Sequence, residues 1–176
     1  LFNVFTLPAI SGDLKTALNE PNTVVITEST ANKYFGTTDA IGKTIETDDK
    51  TSTVYKITAV IKDIPRNSHF NFDLIFSMDN VNYPWGQFTS HNFFTYLLLK
   101  KGTDYKAFEK KFDQYIDKYV FPQLRQNNMD IKSAGDINKS GNRLQYSLIP
   151  LSDIHLQSDR NTEMGVNGSI QYVYIF

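Results

Sequence analysis

Residues 36–44 form the first segment whose residue types and spacing could do chemistry. They run Gly-Thr-Thr-Asp-Ala-Ile-Gly-Lys-Thr and resemble a phosphate-binding loop, in which glycine N–H groups and a lysine hold the anion. Five residues separate Gly36 from Gly42, however, where that motif requires four. A phosphate loop also follows a strand and opens a helix, whereas this segment follows a predicted helix and leads into a predicted strand. We interpret it as a helix C-cap followed by a turn.

Ser152, Asp153 and His155 are the second candidate group. On a strand, Asp153 and His155 would share a face and could supply two metal ligands, but no third ligand lies nearby in sequence. The other histidines are His69 and His91. A serine triad needs a hydrogen-bond relay that adjacent strand positions cannot supply, and no nucleophile-elbow sequence is present. We therefore predict no catalytic, metal-binding or cofactor-binding residues, no cofactor and no enzymatic activity.

Composition and charge narrow the remaining classes of function. The chain has 18 basic and 19 acidic side chains, which are mixed along the sequence and give a net charge of −1. A nucleic-acid-binding protein would normally show a basic face, so this mixed pattern argues against nucleic-acid binding. The absence of cysteine excludes a disulfide framework and a thiolate zinc site. With 40% apolar and 14% aromatic residues among 176, the chain has enough material for a packed interior.

Hydrophobic patterns in the first half predict strands around one short helix. The β-branched run 23–27 predicts a buried strand, and 28–35 predicts a helix between Thr27 as N-cap and Gly36 as its left-handed end. Segments 43–47 and 54–62 predict a hairpin across a polar turn. Its second arm is expected to place Tyr55, Ile57, Ala59 and Ile61 on one face. After a turn at 63–68, a strand is expected to carry Phe70, Phe72, Leu74 and Phe76 inward.

The second half predicts a strand, a helix and another strand. Residues 80–92 form a predicted loop around Trp85, and 93–99 are apolar on both faces, which is typical of a central strand. A helix is predicted over 105–120, capped by residues 102–104 and stopped with the help of Pro122. A mobile loop or linker over 126–142 leads to a predicted strand at 144–149. The fold class is therefore α+β, with mixed strands and a few helices in two lobes.

Apolar patterns mark both ends of the sequence. Residues 1–5 start inside an apolar strand pattern, and 170–176 form an apolar run rich in tyrosine. That run suits the interfacial belt at the start of a membrane helix, while a final core strand is the other interpretation. No stretch reaches the roughly 20 apolar residues that span a bilayer.

The order of several segments resembles the MacB-like periplasmic core domain of MacB/FtsX-type ABC transporter permeases. The first stretch is Pro-Asn-Thr-Val-Val-Ile-Thr-Glu-Ser at 21–29, continued by Lys-Tyr-Phe-Gly at 33–36 and Asp-Ala-Ile-Gly-Lys at 39–43. The second, 55–60 with Asp-Ile-Pro-Arg-Asn-Ser-His-Phe at 63–70, resembles the form common in Bacteroidetes. Residues 150–156 and 168–176 resemble the end of that domain and the entry to its next membrane helix.

This resemblance implies a domain at the periplasmic face of the bacterial inner membrane, attached to membrane segments outside residues 1–176. It implies two partners, a second permease copy and a cytoplasmic ABC ATPase, with a periplasmic adaptor or a lipoprotein or peptide substrate as further possibilities. ATP hydrolysis would drive periplasmic movement, a process called mechanotransmission. The family's lobes would be a porter-like lobe at 1–13 plus 93–150 and an inserted sabre-like lobe at 14–78, with 168–176 starting a membrane helix. The family's first membrane helix and the opening part of its periplasmic domain would be absent.

Two other functions remain as alternatives. The first is a stand-alone extracytoplasmic ligand-binding or sensor module, which would need a concave apolar pocket with a few polar groups. The second is a hydrolase that uses Asp153 and His155.

Overall fold

One mixed sheet organises the first half of the chain. Its strands are β1 (Ala9–Ser11), β2 (Thr23–Thr27), β3 (Thr44–Glu46), β4 (Val54–Ile61) and β5 (Leu74–Phe76). The order is β1-β4-β2-β5, and β3 also pairs with β4. β2 and β4 run parallel, whereas β1 and β3 pair antiparallel with β4, and β5 pairs antiparallel with β2. β2 therefore lies inside the sheet, as its β-branched run predicts.

The computed structural model describes residues 1–48, 52–126, 137, 144–157, 164, 168 and 171. The chain divides into two compact units, one built on Leu1–Tyr83 and the other on Pro84–Asp159. The mixed sheet with a few helices confirms the α+β class. Most of the predicted loop at 126–142 and most of the predicted membrane entry at 168–176 lie outside the described residues.

The predicted helix after β2 is confirmed with both of its caps. Helix α1 spans Glu28–Phe35, and the Thr27 side chain accepts a hydrogen bond from the Thr30 N–H group. Gly36 ends the helix with a φ of 69°, in the left-handed conformation that glycine adopts without strain. The predicted hairpin of β3 and β4 is also confirmed, with Glu46 opposite Val54.

A bulge in β4 overturns the prediction that its apolar residues share one face. Val24 lies opposite Ile57 but Val25 lies opposite Ala59, so Thr58 is an extra residue in the pairing. The extra residue reverses the alternation of side chains. Ile57 therefore packs on the α1 side with Val24 and Ile26, while Ala59 and Ile61 pack on the opposite side with Val25 and Ala17.

Two strand predictions in the first unit are wrong in position. Residues 1–5 form a turn, in which Leu1 O accepts from the N–H groups of Val4 and Phe5, and the first strand is β1. Because β1 pairs with β4, residues 9–11 lie in the sheet of the first unit. The predicted division into a porter-like and a sabre-like lobe stays a prediction. The strand expected at 70–76 covers only Leu74–Phe76, and Phe76 is half-exposed.

The second unit is built around a helical stretch that is longer than predicted. It runs through α2 (Tyr105–Glu109), α3 (Lys111–Tyr115), a π-helical turn (Ile116–Val120) and α4 (Phe121–Gln126). The predicted cap is confirmed, because Asp104 accepts from the N–H groups of Lys106 and Ala107. The expectation that Pro122 helps to stop the helix is wrong. After the π turn Pro122 occupies the first turn of α4, where proline is tolerated.

Residues 93–99 and 144–149, predicted as strands, take part in no strand pairing among the described residues. The second segment shows the expected alternation of half-buried and exposed residues, but its Leu148 N–H donates to the Glu109 carboxylate at 2.6 Å. A short 3-10 turn (Leu151–Asp153) then leads into helix α5 (Ile154–Gln157). The core of this unit is Ile116, Val120, Phe121 and Ile137.

Candidate interaction surface

The glycine segment 36–44 is a helix C-cap and a turn, as its sequence context predicts. The Gly36 N–H donates to Asn32 O at 2.9 Å, and the Gly42 N–H donates to Ile57 O at 2.8 Å. The Lys43 ammonium lies 5.0 Å from the centre of the Phe35 ring, within the range of a cation–π contact. The two glycine N–H groups are therefore hydrogen-bonded to carbonyls of this chain.

Ser152, Asp153 and His155 lie in a helical turn rather than on a strand. The Ser152 hydroxyl donates to the Asp153 carboxylate at 3.0 Å. In a helix, residues two apart do not face each other, so the premise that Asp153 and His155 share a face is wrong. The His155 carbonyl accepts from the Gly168 N–H at 2.8 Å. Among the described residues, no group of three or more His, Asp or Glu side chains could hold a metal ion.

Asp63 anchors the start of α1 from a loop 34 residues further along the chain. Its carboxylate accepts the Ser29 N–H at 2.9 Å and also the Ser29 hydroxyl. The Ser29 hydroxyl, followed by the Ser29 N–H, holds the pKa of Asp63 below its usual value, and slight burial opposes them. A carboxylate at a helix N-terminus is also favoured by the helix dipole. This contact fixes one end of the helix against the loop that follows β4.

The turn after Asp63 places an aromatic cluster beside the N-terminal segment. The Ser68 N–H donates to Pro65 O at 2.8 Å, and the Phe70 N–H donates to the Ser68 hydroxyl at 3.3 Å. The buried Phe70 ring then meets Phe5 edge-on, with ring centres 4.5 Å apart. The turn thereby holds residues 1–5 against the sheet unit.

A cleft of about 400 Å³ opens beside those first residues. Apolar side chains line it, including Phe2, Phe5, Leu7 and Leu14, together with polar residues such as Asp13. This volume lies within the roughly 300–1,000 Å³ of small-molecule sites. The cleft therefore has the size of a ligand site.

Gln123 ties the loop of the second unit to its helix. The Gln123 side-chain oxygen accepts the Thr89 N–H at 3.0 Å and the Thr89 hydroxyl at 3.3 Å, while its side-chain nitrogen donates to Gly86 O at 3.1 Å. Phe88 in the same loop contacts the rings of Tyr115 and Tyr119. The loop is thus held by polar contacts to one side chain and by ring contacts to two others.

Tyr146 closes the same aromatic cluster from the segment 144–149. Its ring lies 5.9 Å from Tyr115 and 5.7 Å from His91, between ring centres. Burial, and secondarily the neighbouring Tyr115, raise the pKa of the Tyr146 phenol. The Tyr146 hydroxyl donates to Phe88 O at 3.5 Å.

Residues 93–99, which we call the apolar segment, expose large side chains. Phe93 is 45% exposed, Phe94 52%, Leu97 48% and Leu98 72%. Trp85, 63% exposed, stacks on Phe93 with ring centres 5.4 Å apart. Neighbouring exposed apolar side chains of this kind mark an interaction surface more often than a solvated face.

Comparison with known families identifies the chain. Residues 1–115 match the sequence model of the MacB-like periplasmic core domain, which is more than half of the chain. The chain belongs to the MacB-like periplasmic core domain family. This MacB-like domain includes the complete sheet unit and the start of the helical stretch within its matched residues.

A solved structure shares the fold of this MacB-like domain. It is a crystal structure of a domain of a candidate permease protein from Porphyromonas gingivalis, 22% identical, with a TM-score of 0.54. The match covers 67% of this chain and 55% of that one, so the chain spans little more than half of its relative's length. No match is found among curated proteins. In the part of the MacB-like domain that the structure describes, no helix is long and apolar enough to cross a membrane.

Only some of the residues that stabilise the MacB-like domain could be predicted from its sequence. The segments that carry the resemblance, 21–29 and 63–70, meet through the contact between Ser29 and Asp63. The contacts of Gln123 and Glu109 could not be predicted from the sequence, because glutamine and glutamate on a helix usually face solvent. The prediction of no catalytic, metal-binding or cofactor-binding residue stays a prediction.

Proposed function

We propose that this chain is the periplasmic domain of an ABC transporter permease that couples cytoplasmic ATP hydrolysis to periplasmic conformational change. The observation that carries the proposal is the family match over residues 1–115. The likeness in fold to a domain of a candidate permease supports it. The domain itself would catalyse no reaction, because the ATPase supplies the free energy on the other side of the membrane.

The packing of the sheet unit suits a domain that transmits movement. Val24, Val25 and Ile26 are completely buried, and both faces of the sheet carry a core cluster. Interiors packed in this way deform little, so a displacement at one end reaches the other. The anchor between Asp63 and Ser29 adds a fixed point between α1 and the loop that follows β4. A stiff body of this kind moves between two positions rather than changing shape.

The proposed setting follows from the family. The domain would lie at the periplasmic face of the inner membrane, with residues 168–176 leading into a membrane helix. Its partners would be a second permease copy and a cytoplasmic ABC ATPase. Its substrate would be an exported compound, a lipoprotein or a peptide. A periplasmic adaptor is a further possible partner. We further propose a sabre-like lobe within 14–78 and a porter-like lobe within 93–150.

Movement of the periplasmic domains can be measured directly. Tyr34 is 60% exposed on the first unit, so a spin label on Tyr34→Cys should not disturb the core. In full-length permease reconstituted with its ATPase, we expect the distance between the labels of the two copies to differ between the nucleotide-free and ATP-bound states. Permease without the ATPase is the control and should not respond to ATP. An unchanged distance distribution in the complete complex would refute the proposed coupling.

The second candidate function, a ligand-binding or sensor module, is favoured by the cleft beside residues 2–15. The two candidates differ in what the gene encodes after Phe176. A permease requires an apolar stretch of about 20 residues there, whereas a stand-alone module requires none. Sequencing the full reading frame decides between them, and a frame without such a stretch would favour the module.

A further inference from the structure

Residues 80–99 contain no charged side chain. Asp, Glu, Lys and Arg make up 21% of the sequence, but this stretch has none of them. It holds six aromatic residues, among them the only tryptophan, Trp85, and it includes the apolar segment. The next two residues are Lys100 and Lys101, and the nearest acid after them is Asp104. Aromatic residues followed by lysines, without acids, are typical of segments that lie at a membrane–water interface.

The structure places large apolar side chains of this stretch in solvent. Leu97 and Leu98 are exposed, and Trp85 remains 63% exposed although its ring stacks on Phe93. The two lysines that follow the stretch are exposed as well. Apolar side chains gain free energy when they leave water, so a partner that covers them and accepts two cations would be stabilised at this surface.

The lysines favour lipid over protein as that partner. The cores of protein–protein interfaces are rich in aromatic residues but poor in lysine, and a folded partner must match the shape of the surface it covers. An anionic lipid surface attracts lysine, repels carboxylates and holds tryptophan and tyrosine at the level of its headgroups. Fluid lipid also adapts to an irregular apolar surface. Both the charge pattern and the aromatic content of residues 80–101 therefore suit a bilayer surface.

We propose that Trp85 and the apolar segment, together with Lys100 and Lys101, form a docking site for the surface of an anionic lipid bilayer. The apolar side chains displace water at the boundary between headgroups and acyl chains, and the two ammonium groups pair with lipid phosphates. This contact is separate from the membrane entry predicted at 168–176. It goes beyond the coupling function and needs neither the ATPase nor nucleotide, so either proposal can fail while the other holds.

The backbone limits how deep the site enters the bilayer. The apolar segment is not helical, and the hydrocarbon layer does not tolerate lipid-exposed backbone N–H and C=O groups outside a helix or closed barrel. The headgroup layer is hydrated and does tolerate them. The segment therefore lies at the depth of interfacial segments, whose apolar side chains enter the boundary by about 5–10 Å.

Trp85 provides a direct test, because the only tryptophan of the chain lies in the site. The 176-residue chain is titrated with vesicles of phosphatidylglycerol and phosphatidylcholine, with and without bromine on the acyl chains. We expect the Trp85 emission to shift to shorter wavelength on binding and to be quenched by the brominated lipid. Both readouts concern the site itself, so attachment of another part of the chain to the vesicles does not produce them.

Paired variants measure what the leucines contribute. Leu97→Asn with Leu98→Asn should weaken binding to these vesicles at least about 10-fold, since two apolar side chains lose their burial. Ile41→Asn with Val54→Asn is the matched control, because it removes two similarly exposed apolar side chains of the first unit, and it should bind as wild type does.

The lysines are tested through the charge of the lipid. One lysine near an anionic surface strengthens binding by roughly 5-fold. Lys100→Gln with Lys101→Gln should therefore weaken binding to anionic vesicles roughly 10- to 30-fold and leave binding to pure phosphatidylcholine nearly unchanged. Equal losses on both lipids would contradict the assignment of the lysines to the site.

Four results would overturn the proposal. The first is no binding to anionic vesicles. The second is binding that leaves the Trp85 emission unshifted and unquenched, which would assign the contact to another part of the chain, such as 170–176. The third is equal binding of wild type and the variant with both leucines replaced. The fourth is an emission shift that depends on protein concentration in the absence of vesicles, which would assign the surface to a second copy of the chain.

Discussion

β2 and the apolar segment begin from similar sequences and end in opposite environments. β2 lies between β4 and β5, and its Val24, Val25 and Ile26 have no exposed surface. In the apolar segment, Leu98 is 72% exposed. The two segments have similar local composition, so their different exposure depends on what surrounds them in the fold. For β2, a pairing strand on each side lies within about 60 residues of sequence. Whether a strand-like sequence becomes a buried strand therefore depends on the rest of the fold.

The two units also differ in how their parts are joined. In the first unit, backbone pairing joins β4 to three other strands. In the second unit, side chains of the helical stretch hold the neighbouring segments, through Gln123 to residues 86–89 and through Glu109 to Leu148. Backbone pairing in a sheet distributes stability over many hydrogen bonds, whereas a side-chain contact makes stability depend on one residue. Point substitutions should therefore distinguish the two units.

The largest effect is expected where burial is complete. Ile26→Ala should lower the free energy of unfolding by about 3–5 kcal/mol, because it removes a fully buried side chain and leaves a cavity. Leu98→Ala in the same 176-residue chain should change it by less than about 0.5 kcal/mol. Denaturant titration measures both values. A similar cost at the two positions would remove the contrast between β2 and the apolar segment.

A smaller effect is expected at Gly12, where the backbone passes close to the bulge in β4. Gly12 has a φ of +87°, and a Cβ there would lie 2.4 Å from Thr58 O and 2.7 Å from Ala59 Cα. Gly12→Ala should therefore cost about 2–4 kcal/mol, through backbone strain and overpacking together.

Gly42→Ala is the matched control for Gly12→Ala. Gly42 has a φ of +82° with nothing within 4 Å of the added Cβ, so only strain of about 1 kcal/mol remains. Denaturant midpoints of the two variants give the comparison. Equal losses would show that the close approach of Gly12 to β4 contributes nothing.

These positions also show how far sequence reasoning reaches. β2, α1 and the Asp104 cap were predictable because the residues that determine them lie within about ten positions of one another. The bulge at Thr58 was not, since it depends on the pairing with β2, and the Thr58 hydroxyl donates to Ala17 O, 41 residues away. The contact between Asp63 and Ser29 also spans too much sequence for periodicity to reveal. Contacts between distant segments are what single-sequence patterns omit.

A substitution of Gln123 tests whether the second unit depends on single side chains. Gln123→Ala removes the partners of Thr89 and Gly86 and should destabilise this unit by about 1–2 kcal/mol. Gln126→Ala, at an exposed position on the same helix, is the control and should stay within about 0.5 kcal/mol. Trp85, the only tryptophan, lies in this loop, so its fluorescence reports the transition. Equal midpoints would show that the ring contacts of Phe88 hold the loop alone.

The smallest effect is expected at Asp63, where pH provides the measurement. Because hydrogen bonds from Ser29 lower the pKa of Asp63 in the folded state, the carboxylate stabilises the fold above its unfolded pKa of about 4. That contribution is lost as pH falls through the still lower folded pKa. At pH 7, Asp63→Asn should cost about 0.5–1 kcal/mol, the range of an exposed helix cap screened by solvent. The difference from wild type should shrink below pH 4. A pH-independent difference at Asp63 would mean that its charge does not contribute to the anchor, and that shape and hydrogen bonding alone hold α1 to the loop after β4.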